Sequence, residues 1–365
     1  GWTQLSGTAK YTIEDGAIIG TTSGDPENSF LATDRFYGDF EMEVEIKTFE
    51  DRFNGGVQIR SHANPAYKNG AVHGYQVEVV TNGTAGFIYD ELRSGWLSKE
   101  RKDPEKNTAF KKNEWNKFRI VCEGDSIKTW INGIQIADVT DSQSANGFIA
   151  LQVHSARNNA GWKIGWRNIR LREIGDGGGW SQLFNGKDLI GWKVSENPDS
   201  FSVKDGLLVA KGPRAHAFYD GPIYSHSFKN FEYKALIRTK PNANSGLYIH
   251  TEFQERGWPA KGYECQVNNT HKDWRRTGGL YAIDDVKEAP AKDGEWFEMH
   301  ITVKGRDITI AVDGKETVSY TEPENAERPP NMKGRLLDRG TFAIQCHDPG
   351  SEVHYKDLSV KVLPE

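Results

Sequence analysis

The sequence predicts an all-β chain folded as two tandem β-sandwich or jelly-roll domains, and three observations predict it. A set of strand-sized segments occurs twice, in the same order. Turn residues punctuate each set, and no long segment repeats apolar residues at helical spacing. A run of glycines lies between the two sets.

Each half opens with a strand–turn–strand unit, YTIEDGAIIG at residues 11–20 and FSVKDGLLVA at 201–210. In both, Asp-Gly joins two alternating apolar runs, a strong hairpin signal because both residues tolerate the backbone of a tight turn. YGDFEMEVEIKT (37–48) is answered by FKNFEYKALIRT (228–239), and NGGVQIRSH (54–62) by NSGLYIHTE (244–252). HGYQVEVV (73–80) matches KGYECQVN (261–268), and AGFIYDE (85–91) matches GGLYAID (278–284). The stretches 114–134 and 295–315 correspond, and GFIALQVHS (147–155) pairs with GTFAIQCHD (340–348). Regular short strands separated by turns indicate a sandwich. Between the halves, EIGDGGGW (173–180) reads as a flexible joint. The expected domains are therefore 1–174 and 180–365, with a linker at 175–179. Each half is long enough to bury a core of its own.

Composition bounds the function. The net charge is −5 and the basic residues are dispersed. That argues against nucleic acid as partner, which needs a concentrated basic face. No apolar run approaches the roughly 20 residues that span a bilayer. Cys122, Cys265 and Cys346 cannot all pair and lack metal-ligand spacing. Buried thiols are expected, and a Cys265–Cys346 bridge is allowed but not required. The chain starts at Gly1 without a signal peptide, read here as one already removed. The expected location is periplasmic, cell-surface or secreted.

Strand alternation then sorts side chains onto two faces. Around residue 249, Leu247 and Ile249 point one way while Tyr248, His250 and Glu252 point the other. Glu264, Gln266 and Asn268 oppose Tyr263, Cys265 and Val267, and Gln345 and His347 share the polar side of a third strand. If these strands are neighbours, the face is a polar trough. The first half repeats the pattern with Gln58, Arg60 and His62, with Gln76 and Glu78, and with Gln152 and His154. Any one of these residues fits an ordinary solvated strand face. Recurring Gln-His and Glu-Gln pairs fit that less well.

Trp96, Trp162, Trp258 and Trp274 fall in expected loops, where a flat ring either stacks on a sugar or covers the sandwich end. His271 and Asp348 sit where loops leave the polar strands. Asp348-Pro349-Gly350 is also an ordinary turn sequence, so His271 is the stronger functional candidate.

The second half carries longer motifs. LFNGKDLIGW (183–192), the block at 244–286 and the block at 340–360 resemble the 3-keto-disaccharide hydrolase domain family over residues 180–363. The first half is a degenerate copy, lacking the Phe-Asn-Gly-Lys opening and the Asn-Asn-Thr-His segment. The resemblance implies concanavalin A-like jelly rolls acting on glycosides whose sugar C3 is a ketone. Such a ketone acidifies the C2 proton, so a modest base removes it and expels the glycosidic oxygen. The site then needs a base, a group to hold the enolate and an acid.

On this chain the resemblance implies Glu264 or His347 as base. His250 and His271 would be the proton donors or enolate holders. Tyr248, Gln266, Asn268, Gln345, Trp258 and Trp274 would bind sugar, and Arg60, Glu78 and His154 are the first-half alternatives. A divalent metal held by His and carboxylate is one way to polarise the ketone, though no ligand spacing demands one. Two rival functions stay open: a sugar-binding protein without catalysis, and an ordinary two-carboxylate glycosidase with Glu252 as the second acid.

Overall fold

A computed structural model describes residues 1–100, 103–156 and 158–365, and divides the chain into two compact units, Gly1–Trp180 and Ser181–Leu363. Each is a pair of antiparallel sheets. In the first unit one sheet runs, in spatial order, through Trp2–Gln4, Ser29–Thr33, Phe148–Val153, Asn54–His62, His73–Val80, Ile88–Glu91 and Gly95–Trp96. Its partner sheet holds Phe40–Thr48 and Lys163–Glu173 at the centre. The second unit repeats the first order strand for strand: Trp192–Val194, Ala215–Tyr219, Thr341–Cys346, Ser245–Thr251, Tyr263–Val267, Arg276–Leu280 and Asp284–Val286.

The core forms where alternation puts it. Along Phe40–Thr48 and Phe231–Thr239 every second residue is buried. In the first unit Phe40, Met42, Val44 and Ile46 join Val57, Ile59, Tyr75 and Val77 of the facing sheet in one cluster. In the second, Tyr233 stacks on Phe342 across the sandwich with ring centroids 4.4 Å apart. All three cysteines are free and buried. Burial pushes the Cys122 thiol up to about 12 and raises Cys265 and Cys346 as well, so these thiols stay protonated.

Two local features depart from the sequence reading. The glycine run is tied down rather than loose. The Asp39 N–H donates to Gly177 O at 2.7 Å, the Gly178 N–H donates to Asp176, and Gly177, Gly178 and Gly179 all have positive φ. Those glycines supply turns that an L side chain resists.

The second departure is a bulge in the same place in both units. Register shifts between Ile59 and His62, and again between Tyr248 and Thr251. Arg60 and His250, the equivalent residues, take φ of 45° and 53°. A bulge rotates the residue out of the period-two pattern, so alternation misassigns both side chains.

Candidate active site

The second unit has a cavity of about 470 Å³ over the Ser245–Thr251, Tyr263–Val267 and Thr341–Cys346 strands. Its floor is Tyr248, Glu264, Gln266 and Gln345, with His347 and Asn244 at one side. Tyr248 and Glu264 are directly cross-strand. Loops roof this face so thoroughly that every residue of the Ser245–Thr251 strand is buried. The expected polar trough is thus the floor of a pocket partly roofed by loops. Trp258, Pro259 and Ala260 come from one roofing loop, and Asn331, Met332 and Arg335 from another.

Glu264 is held by two donors. Gln345 Nε2 donates to its Oε1 at 2.7 Å, and Arg335 Nη2 donates to Oε2 at 3.2 Å. The Gln345 amide also donates to the Tyr248 hydroxyl oxygen at 3.2 Å. Burial and the nearby Glu264 carboxylate hold the Tyr248 pKa far above the usual phenol range. Glycine makes room for this arrangement. A Cβ on Gly246 would stand 2.6 Å from Glu264 Oε1. Three buried polar atoms of the wall have no hydrogen-bond partner among the described residues: Gln266 Oε1, Gln345 Oε1 and Arg335 Nη1. A buried polar atom left bare is costly, and atoms of this kind on a cavity wall are suited to ligand hydroxyls or carbonyls.

His347 is the half-exposed imidazole of the wall. Its Nδ1 lies 2.8 Å from Asp348 Oδ2. Burial raises the Asp348 pKa, but hydrogen bonds from His347, Ser351 and the Gly350 N–H outweigh it and hold the group below its ordinary value. A carboxylate only accepts, so Nδ1 carries a proton, and in the neutral imidazole the lone pair is on Nε2. Trp258 leans on this ring with centroids 5.2 Å apart.

His271 stands behind His347, ring centroids 5.5 Å apart, and is not on the cavity wall. The Asp273 N–H donates to its Nδ1 at 3.2 Å. Its proton is therefore on Nε2, 4.0 Å from Asp348 Oδ2. The two histidines hold opposite tautomers around one carboxylate. His271, His347 and Asp348 bring ligand atoms within 4.8 Å of one another. A cation bound there would compete with the His347–Asp348 bond and need the His271 Nε2 proton removed, so these residues as arranged fit a hydrogen-bonded cluster better than a metal site.

Other expected site residues lie elsewhere. His250, turned by the bulge, is 1 % exposed. Its Nε2 meets Lys229 O at 2.8 Å and its Nδ1 accepts from the Asp338 N–H at 3.3 Å. It packs edge-on against Phe231 and has no place in the cavity. Asn268 does not reach the cavity either. Its amide donates to Asp273 O and Arg275 O, and its carbonyl accepts from the His271 N–H, so it shapes the loop that carries His271. Trp274 is half-exposed beneath the Arg275 guanidinium. Glu252 is exposed, 3.6 Å from Lys261, and off the wall.

In the first unit Arg60 is fully buried and structural. It donates to Gly38 O and Gly124 O and pairs with Asp39 at 2.8 Å. Glu78 accepts from Gln76 at 2.7 Å, and burial raises it to about 7. His154 lines a separate cavity of that unit. Trp96 meets Tyr89 edge-on.

Sequence reasoning missed Arg335 and underrated Asp348. Arg335 rides on the connection 322–340, where the first unit has only the short turn 141–147. That length difference is visible in the repeat and was the available signal. Both connections are fastened by the same tyrosine. Tyr75 donates to Asp141 at 2.5 Å, and Tyr263 donates to Glu322, which also accepts from the Leu337 N–H at 2.8 Å. His216 was missed as well. It is fully buried between Tyr248 and Trp258, both ring nitrogens lack partners, and burial lowers it to about 3.

The 3-keto-alpha-glucoside-1,2-lyase-like domain family matches the chain twice, over residues 1–172 and 179–361. No curated protein matches it. Among solved structures, a Parabacteroides distasonis protein provisionally named a glycosyl hydrolase is 23 % identical with a TM-score of 0.43, over 51 % of this chain and 94 % of its own. The carbohydrate binding module CBM66 of Bacillus subtilis is 22 % identical with a TM-score of 0.36, over 47 % of this chain and 95 % of its own.

Proposed function

The chain belongs to the 3-keto-alpha-glucoside-1,2-lyase-like domain family, and on that premise we propose that its second unit cleaves 3-keto-glycosides by elimination, with His347 as base. The observation that carries the proposal is His347 on the wall of the cavity, bonded through Nδ1 to Asp348, which leaves Nε2 to act as the base. A base oriented by a carboxylate is what removal of an acidified C2 proton requires.

In the proposed step His347 Nε2 takes the C2 proton and the C2–H electrons form an enolate at the C3 oxygen. The enolate collapses to C1=C2 and the C1–O bond breaks. The departing oxygen takes up the proton that His347 removed from C2, so the products carry every atom of the substrate and the residues end as they began. Arg335 Nη1, buried and without a partner, suits the enolate oxygen. Glu264 is the counter-ion that holds Arg335 and Gln345 in place, which makes it a poorer base than His347. Gln266 Oε1 and Gln345 Oε1 are acceptors for sugar hydroxyls, and Trp258 offers a ring face. His271 supports Asp348 from behind.

An ordinary glycosidase needs two carboxyl groups across the sugar. Here the wall carboxylates are Glu264, engaged with Arg335, and Asp273, which accepts from the Arg275 N–H. The deciding assay compares matched glycosides with and without the 3-keto group. His347→Asn should lose about 100- to 10,000-fold in turnover of the ketone, and the unoxidised glycoside should not be cleaved. Full activity in His347→Asn, or equal cleavage of both glycosides, would overturn the proposal.

A further inference from the structure

The first unit has a cavity of its own, about 560 Å³, which the proposed chemistry does not use. That volume lies within the roughly 300–1,000 Å³ of ordinary small-ligand sites. Its wall includes Phe53, Asn54, Asn82, His154, Asn159 and Trp162. Asn54 Oδ1 is buried there and has no hydrogen-bond partner among the described residues. The rim charges are of both signs, Asp51 beside Arg52 and Lys112.

Position by position, this unit keeps His154 at the place of His347 but replaces the groups around it. Gln76 stands where the second unit has Glu264, and it is taken up in a chain from Gln58 Nε2 to Gln76 Oε1 and Gln76 Nε2 to Glu78 Oε1. Ser155 replaces Asp348, and His154 Nδ1 faces the Ser155 backbone oxygen at 2.8 Å instead of a carboxylate. The turn 141–147 contains no arginine to correspond to Arg335, and no histidine corresponds to His271. The wall residues named above are two aromatic side chains, three amides and an imidazole around a cavity of ligand size.

We propose that this cavity is a second carbohydrate site, one that binds a neutral pyranoside without cleaving it and without needing a ketone at C3. Amide and imidazole groups match hydroxyls as both donors and acceptors, and the Trp162 ring offers an apolar face for a sugar ring. Mixed rim charges give no single-signed field to select an ion.

The test is calorimetric titration of the full chain with methyl glucopyranoside, cellobiose and maltose, none of them oxidised. Trp162→Ala and Asn159→Ala should each weaken binding of at least one of these sugars about tenfold or more. Both should leave turnover of the 3-keto-glycoside by the second unit unchanged. Trp258→Ala should retain that binding. Asn159 is exposed, so its substitution guards against a folding defect at Trp162, which packs against the core. The proposal is overturned if none of the three sugars binds. It is equally overturned if both first-unit variants bind as the unaltered chain does, or if binding is lost only in Trp258→Ala.

Discussion

Asp348→Asn tests the proposed base through its partner, and the structure sets the expected size. The carboxylate accepts from His347 Nδ1 at 2.8 Å and from Ser351 Oγ at 2.9 Å, while Oδ1 takes the Gly350 N–H at 2.8 Å. An asparagine can keep the turn by accepting from Gly350 through its carbonyl, but its amide then donates towards Nδ1. The imidazole must answer by moving its proton to Nε2, where the lone pair was needed. Loss of a correctly set general base costs about 100- to 10,000-fold, and the variant should fall in that range for kcat on a 3-keto-glycoside. Affinity should change little, because Asp348 is not on the cavity wall. Its side chain is about a third exposed, so the thermal midpoint should move by only a few degrees. His347→Asn should cost a similar factor, and the double variant barely more than either, since the two act as a unit. A single variant that keeps more than half the activity, or two losses that multiply, would show that the pair does not set the base.

Further expectations follow from the same site. Glu264→Gln leaves the buried Arg335 guanidinium without its anion. Removing one partner of such a pair costs about 3–5 kcal/mol, so denaturant unfolding should shift strongly and KM should rise, a different signature from that of His347→Asn. Gly246→Ala puts a Cβ 2.6 Å from Glu264 Oε1 and 2.8 Å from its Cγ. It should displace the carboxylate and reduce activity about tenfold or more, and normal kinetics would count against the assigned floor. Burial lowers His250 to about 4 and His216 to about 3, whereas unfolded histidine titrates near about 6.5. Below that pH the unfolded chain binds more protons than the folded one. The stability that these two histidines set should therefore be complete above about pH 6.5 and decline towards pH 4, by at most about 1.4 kcal/mol per pH unit per histidine. His216→Phe, which installs the residue found at the equivalent Phe30, should flatten that decline in urea titrations at pH 7, 6, 5 and 4. An unchanged slope would mean that His216 does not titrate as described.

The strand framework was legible because it is written in period two, twice over, and the second copy checks the first. Glu264, Gln266, Gln345 and His347 were found together because their strands are regular up to those positions. His250 was misassigned because one bulge reverses the facing of everything after it, and nothing in Ile249-His250-Thr251 signals a positive φ to a reader of composition. Asn268 was misread for a different reason. Its polar groups are consumed by the backbone of the loop it starts, and local side-chain bonding of that kind competes with any outward role. Asp348 was discounted as a turn residue. The structure shows it serving the turn through one oxygen and His347 through the other. The repeat marks the connection 322–340 as longer than 141–147, but which of its residues reaches the cavity depends on its path over the strands, so the length difference flags the segment and not Arg335 itself.

The tyrosine that fastens this connection makes it a separable part. Tyr75 and Tyr263 grip the first carboxylate of their respective connections, Asp141 and Glu322, so the anchoring point is the same whether the segment beyond it is short or long. Length and cargo can then vary without disturbing the sheet beneath. A chimaera with residues 322–340 grafted in place of 141–147, together with Gln76→Glu, would carry an arginine and its anion into the first unit on an attachment that unit already possesses. One sandwich framework can thus carry connections of very different length from a single tyrosine anchor.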